Sequence, residues 1–303
     1  MNQKELESLL LDNLRERLGD ECDINVISVL KNNNTRLRAI RFTRKDSIIH
    51  PTIYLERYYA MLKDGVSPED ICSTLYGDYM ESVKENAPDL SFFTDYEKMR
   101  EHIVCKLISV DRNEDILKDV PFVPFLDLAA VFYCNVNLSK GHQGSVLIRN
   151  NHFKTWNITV DELYKDALEN NRKQLGTSAR PIADVLTDLF TYLGKTAPEG
   201  EEPAVIPEDI QMYVLTNKNG LNGAACMLDR VFMEDFGNKL GGSYFILPSS
   251  VHELIVLPVC KDMEIGHLRE MVKLINKTEV PREEVLSDEV YIYDYKRKVV
   301  AYA

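Results

Sequence analysis

The chain has 303 residues, of which 45% are hydrophobic and 28% charged, and its formal net charge is −12. That composition is globular and long enough for one large domain or two ordinary ones. Acid outnumbers base in both halves, which argues against a general nucleic-acid binder with its basic footprint and against docking on an anionic membrane surface.

Residues 3–18 place Leu6, Leu9, Leu10, Leu14 and Leu18 near a helical period, and Gly19 ends the pattern. Residues 24–30 and 36–43 are rich in Ile, Val and Phe around Asn32-Asn33-Asn34, so they are expected as a β-hairpin. A helix is expected from about Thr52 to Asp64. A second opens at Ser67-Pro68-Glu69-Asp70, where Ser caps and the acids face the positive end of the dipole. Residues 94–102 are expected as helix and 103–110 as strand. Pro121 and Pro124 mark a joint, taken as the boundary between an N-terminal region, 1–119, and a C-terminal region, 120–303. Residues 126–138 and 144–149 are expected to pair as central strands, with Leu128, Ala130, Phe132 and Leu147 buried.

Thr159-Val160-Asp161-Glu162 is a capping box that opens a helix to about Lys173, and a further helix is expected over 180–193. Residues 195–209 hold three prolines and five acids, the composition of a solvated loop. The rest reads as strand 212–216, helix 223–240, a strand pair around Ser249, helix 265–276 and a final hairpin, 290–293 with 299–302. The fold class expected is α+β, with mixed or largely antiparallel sheets covered by helices.

Two segments invite chemical readings. Pro248-Ser249-Ser250-Val251-His252-Glu253 joins two apolar runs and supplies a hydroxyl, an imidazole and a carboxylate. A hydrolase needs those groups aimed at one another, yet side chains two apart on a strand stand in parallel, and the G-x-S-x-G elbow is missing. The structural reading makes the serines satisfy turn amides. The second segment, Thr216-Asn217-Lys218-Asn219-Gly220-Leu221-Asn222-Gly223, lies between a strand and a helix. Asn217, Lys218, Gly220, Asn222 and Gly223 could cradle an anion on free amides. Alternatively, Gly220 takes positive φ and Asn222 caps the helix.

Arg36, Arg38, Arg41, Arg44 and Lys45 form a local basic stretch, read either as a partner surface or as the solvated charges of an edge strand. Tyr54, Tyr58, Tyr59, Tyr76 and Tyr79 offer either an interface or helix packing. The six cysteines, at 22, 72, 105, 134, 226 and 260, lack disulfide or zinc spacing, and no acid or histidine set has metal-ligand spacing. Free thiols, no metal and no cofactor are expected. The opening residues, Met1-Asn2-Gln3-Lys4-Glu5, lack the pattern of a secretory leader, and the longest apolar run, Leu128 to Cys134, is too short to span a bilayer. A cytoplasmic location is expected.

Asp127-Leu-Ala-Ala-Val-Phe-Tyr, Trp156-Asn-Ile-Thr-Val-Asp-Glu-Leu-Tyr with Ala167-Leu-Glu-Asn170, and Met212-Tyr-Val-Leu-Thr-Asn-Lys form one set of motifs. Asn222-Gly-Ala-Ala, the joint from Ile246 to Glu253 and Leu286-Ser-Asp-Glu-Val-Tyr complete it. Together they resemble the bacterial domain-of-unknown-function family numbered 5688, of gut Clostridia, best from about residue 120 onward. A weaker likeness runs to the family numbered 1444, through the aspartate-led strand, the tryptophan before the capped helix and the late serine joint. The resemblance implies an intracellular bacterial protein and carries no catalytic residue over. The first functional reading is a non-enzymatic module binding a protein or small ligand, without nucleic acid or membrane. The alternative is a hydrolase or transferase using Ser249, Ser250, His252 and Glu253 with the Asn217–Gly223 loop.

Overall fold

Leucines four apart make one apolar stripe on a helix, and α1 (Gln3–Leu18) uses that stripe to bury Leu6, Leu10 and Leu14. Its start is fixed by a capping box between Asn2 and Glu5. The computed structural model describes residues 1–44, 51–84, 95–137, 143–192, 211–260 and 263–303. They group into two compact units, one of Met1–Ser91 with Val136–Gly144, the other of Phe92–Asn135 with Ser145–Ala303.

In the first unit, β1 (Cys22–Leu30) and β2 (Arg36–Arg44) form the expected antiparallel hairpin, with Leu30 opposite Arg36. Asn33 and Asn34 make its turn at φ 57° and 53°, a backbone region that Asn tolerates. β3 (Thr52–Tyr54) adds to the far side of β2, so the arginine-bearing strand is the centre of the sheet and not its edge. α2 (Glu56–Lys63) and α3 (Pro68–Lys84) follow. Tyr58 and Tyr79 are buried, and Tyr79 stacks on Phe42 at 4.1 Å between ring centres. Glu7 accepts two bonds from the Arg38 guanidinium and one from the Tyr59 hydroxyl. The Arg38 bond leads in holding the Glu7 carboxyl below its ordinary range.

The second unit opens with α4 (Tyr96–Met99), β4 (Ile103–Ser109), α5 (Glu114–Leu117) and β5 (Phe122–Phe125), and holds most of β6 (Leu128–Asn137) and β7 (Gln143–Leu147). β6 runs between β4 on one side and β5 and β7 on the other. Next come α6 (Asn150–Trp156), α7 (Val160–Asn170) and a π turn, Asn171–Leu175. Trp156 is buried, its ring centre 5.7 Å from that of Tyr96. Asn171 lies beside β4, giving its amide to the Cys105 carbonyl and accepting the Cys105 N–H, as a neighbouring strand would.

β8 (Ser178–Pro181), α8 (Ile182–Tyr192), β9 (Tyr213–Thr216), α9 (Arg230–Leu240), β10 (Tyr244–Pro248), β11 (Leu254–Pro258), α10 (Ile265–Thr278), β12 (Tyr291–Asp294) and β13 (Val299–Tyr302) complete the chain. Their strands form one antiparallel sheet in the order β13-β12-β10-β11-β9-β8. α10 packs Leu268 and Val272 with Phe245, Leu247 and Leu257. On the opposite face Tyr244 meets Phe236 of α9 edge-on and gives its hydroxyl proton to the Met233 carbonyl. A strand covered on both faces reads as an unbroken apolar run, and all five residues of β10 are buried.

The class is therefore α+β, and the described strands form three antiparallel sheets. The joint expected at 119–120 falls inside the second unit, because β4 and β6 pair across it from Ile103–Cys134 to Ser109–Leu128. Part of that supposed joint is itself β5, whose exposed Pro124 sits on a strand bonded along one side only. Leu128, Ala130 and Phe132 are buried as expected, but Leu147 is only half-buried. Its neighbour Ile148 takes the core position and donates its N–H to the Phe132 carbonyl. The acidic loop 195–209 and the turn at 139–142 lie outside the described residues.

Candidate functional site

β9 and β11 are antiparallel neighbours, with Leu215 opposite Leu254. The chain leaving β9 and the chain entering β11 therefore lie at the same end of the sheet. This brings together the two segments singled out in the sequence, Asn217–Gly223 and Ser249–Glu253.

The junction is held by backbone and imidazole. His252 Nδ1 accepts the Asn222 N–H at 3.1 Å, and the His252 carbonyl accepts the Thr216 hydroxyl at 2.8 Å. The Ala224 N–H reaches the Val251 carbonyl, and the Val251 N–H reaches that of Glu284. Gly223 sits where these strands of chain cross. A Cβ there would overlap the Thr216 hydroxyl and the His252 carbonyl.

Ser250 is buried, and its Oγ accepts the His252 N–H at 3.0 Å. The Ser250 N–H is bonded to the Glu253 carbonyl. With Nδ1 accepting an N–H, a neutral His252 carries its proton on Nε2, and that nitrogen lies 3.6 Å from Glu284. The imidazole thus connects the loop amide to a carboxylate. A hydroxyl nucleophile would need one of those two nitrogens. Ser250 and His252 are joined through the backbone amide, and neither stands on a regular strand, because β10 ends at Pro248 and β11 begins at Leu254. Ser249 is half-buried beside them.

The loop is folded on itself. Asn217 accepts the Asn219 N–H on its side chain and the Gly220 N–H on its carbonyl, and its amide donates to Leu221. The Lys218 N–H goes to the Leu175 carbonyl. Gly220 has φ 64° as expected, but Asn222 has φ 55° and caps nothing with its side chain. Residues 223–240 are not one helix. Gly223–Leu228 is a 3₁₀ turn, and α9 begins at Arg230 with the Asp229 carboxylate accepting the Phe232 N–H. The N–H groups of Lys218, Asn219, Gly220 and Asn222 are thus already in use, and a carboxylate stands at the helix start.

Asp229 also holds Arg172, Nη2 to Oδ1 at 2.8 Å. Asn217, Thr177, Cys226 and Asp229 line a cavity of about 20 Å³ here, room for one water. Burial pushes the Cys226 thiol up to about 11.

A second polar cluster joins residues that no spacing rule connects. β5 and β6 are linked by Leu126-Asp127, with Phe125 opposite Leu128. Leu126 adopts φ 56°, a strained choice for a branched side chain. Asp127 accepts the Ser287 hydroxyl at 2.6 Å and the Tyr291 hydroxyl at 2.8 Å. Burial first, and then the Asp127 charge, hold the Tyr291 phenol well above its ordinary range. Ser287 is 2% exposed, so this carboxylate serves as a clamp between the β5–β6 turn and the chain entering β12. The sequence held one cue, an Asp in a two-residue connection. Its partners, 160 and 164 residues away, are set only by tertiary packing.

α10 carries a different feature. Its inner face buries Leu268, Val272 and Asn276, while Met271, Leu274 and Ile275 are 44%, 61% and 39% exposed. The cue was legible as more apolar positions than a single buried face uses. Among the described residues, no group of three His, Cys, Asp or Glu could hold a metal ion, and no helix is long and apolar enough to cross a membrane.

A family model described as a family of unknown function, DUF5688, matches residues 4–295. No curated protein and no solved structure matches the chain.

Proposed function

The chain belongs to DUF5688, a family of unknown function, and we propose from its own residues that it is a non-enzymatic protein-binding module. The reading is carried by the outer face of α10, where Met271, Leu274 and Ile275 meet solvent together. Scattered exposed apolar residues are ordinary, whereas a contiguous exposed apolar patch is the signature of an interaction surface, and these three share one helix. The junction at His252 supports the same reading from the other side. Its imidazole, its hydroxyl and its loop amides are committed to holding β9, the 3₁₀ turn and β11 together. The cavity beside that junction takes about one water, which disfavours a small ligand at that place. The cytoplasm is the proposed location, in keeping with six free thiols.

A photo-crosslinking residue at position 274 tests this in the native cell, with one at exposed Lys239 on α9 as control. A discrete protein adduct from 274 and none from 239 is expected. No adduct from 274 would overturn the reading. So would labelling of the wild-type chain by a fluorophosphonate probe that Ser250→Ala abolishes, which would favour the hydrolase.

A further inference from the structure

Resting on that reading, we infer that the outer face of α10 pairs antiparallel with the same face of a second copy of this chain. The spacing supplies the first argument. His267, Met271, Leu274 and Thr278 recur at intervals of four, three and four, the interval of a coiled-coil seam. Met271 and Thr278 occupy one seam position, His267 and Leu274 the other.

An antiparallel pairing about a two-fold axis sets Met271 of one copy against Leu274 of the other, twice. The apolar pair is then central, and the layers of His267 against Thr278 are outermost. Ile275 covers one flank. This order places the most exposed apolar side chains where a partner removes them from water most completely.

The charges supply the second argument. Glu270 and Lys277 lie one residue before each of the seam positions Met271 and Thr278, on the flank opposite Ile275. In an antiparallel pair that flank faces itself. Glu270 of each copy then meets Lys277 of the other, and two opposite-charge pairs form by symmetry. A parallel pair would not place these two residues across from each other. Within one chain Glu270 pairs with Lys273 at 3.3 Å, an exposed contact that is readily exchanged. The self-complementarity is that of an isologous interface. A helix of 14 residues offers only two heptads, so association is expected to be weak and reversible.

Sedimentation equilibrium of the purified full chain tests the inference. Wild type is expected to show a concentration-dependent monomer–dimer equilibrium, and Leu274→Glu to be a monomer. Glu270→Lys sets lysines against lysines and is expected to weaken dimerisation about tenfold. Adding Lys277→Glu to that variant restores opposite charges and is expected to restore the dimer. Circular dichroism checks that each variant keeps its fold, and all the substituted side chains are exposed. A wild type that stays monomeric at every concentration overturns self-pairing, as does a double variant no stronger than Glu270→Lys. If the wild type is monomeric while position 274 captures a different protein, self-pairing falls and the binding-module reading stands. If position 274 captures nothing and the wild type is monomeric, both fall.

Discussion

Gly223 shows how little freedom a single position has at the crossing of β9 and β11. Most of the described glycines have open space where a Cβ would stand. At Gly223 the new carbon would meet a hydroxyl, a carbonyl and, at 2.9 Å, the Asn217 nitrogen. Two of those neighbours are backbone and cannot rotate away. Gly223→Ala is therefore expected to cost more than about 3 kcal/mol, through overpacking and loss of the junction's hydrogen bonds. Gly77, exposed within α3 with open space around it, is the contrast. Gly77→Ala should add about 0.5–1 kcal/mol, because alanine restricts the unfolded chain and favours helix. Urea unfolding of both variants checks the pair. A neutral Gly223→Ala would mean that the loop and the serine joint are not packed as described. Sequence showed these residues as two glycine- and serine-bearing segments with chemical promise. It did not show that they serve each other, since that depends on the β9–β11 register, which no local pattern states.

Elements were most legible where one periodicity ran long enough to be unambiguous. Leu6, Leu10 and Leu14 defined α1, and the apolar runs on either side of Ser249 defined β10 and β11. Short strands escaped for physical reasons. β3 and β8 have three and four residues, too few for an alternation to declare itself. β5 was hidden by Pro124, which an edge position tolerates and a central strand would not. Residues 223–240 read as one helix because composition does not register the cap of Asp229 at its break. The clamp at Asp127 tests how these elements are joined. Asp127→Ala leaves the buried Ser287 and Tyr291 hydroxyls without their acceptor and should destabilise the chain by about 3 kcal/mol. Asp127→Asn retains an acceptor and should cost less. If the two variants melt together with the wild type, the strained turn at Leu126 is held by packing alone.

Across the whole molecule the α+β class was legible in the sequence, whereas the compact units are set by strand pairing that composition does not report. Compositional breaks mark surface joints only where pairing does not bridge them, and the β4–β6 ladder bridges the one at Pro121 and Pro124. The cysteines give a test at this scale. Five are buried and Cys260 is exposed. Burial lifts the Cys105 and Cys134 thiols to about 12, so they stay protonated and unreactive at mildly alkaline pH. Native protein should show one promptly reactive thiol with Ellman's reagent, and denatured, unreduced protein all six. A larger native count would show that the core opens, and a denatured count below six would reveal a disulfide.

Trp156 is the single tryptophan of the chain, buried against Tyr96 within the second unit. Its emission, excited at the red edge where tyrosine is dark, is therefore a window on that unit alone. The first unit, whose aromatic core is Tyr58, Tyr79 and Phe42, is silent in such a measurement. A fluorescence melt and a circular-dichroism melt of this chain consequently watch different sets of residues. Agreement between the two curves would be a test of cooperativity, and neither curve can stand in for the other.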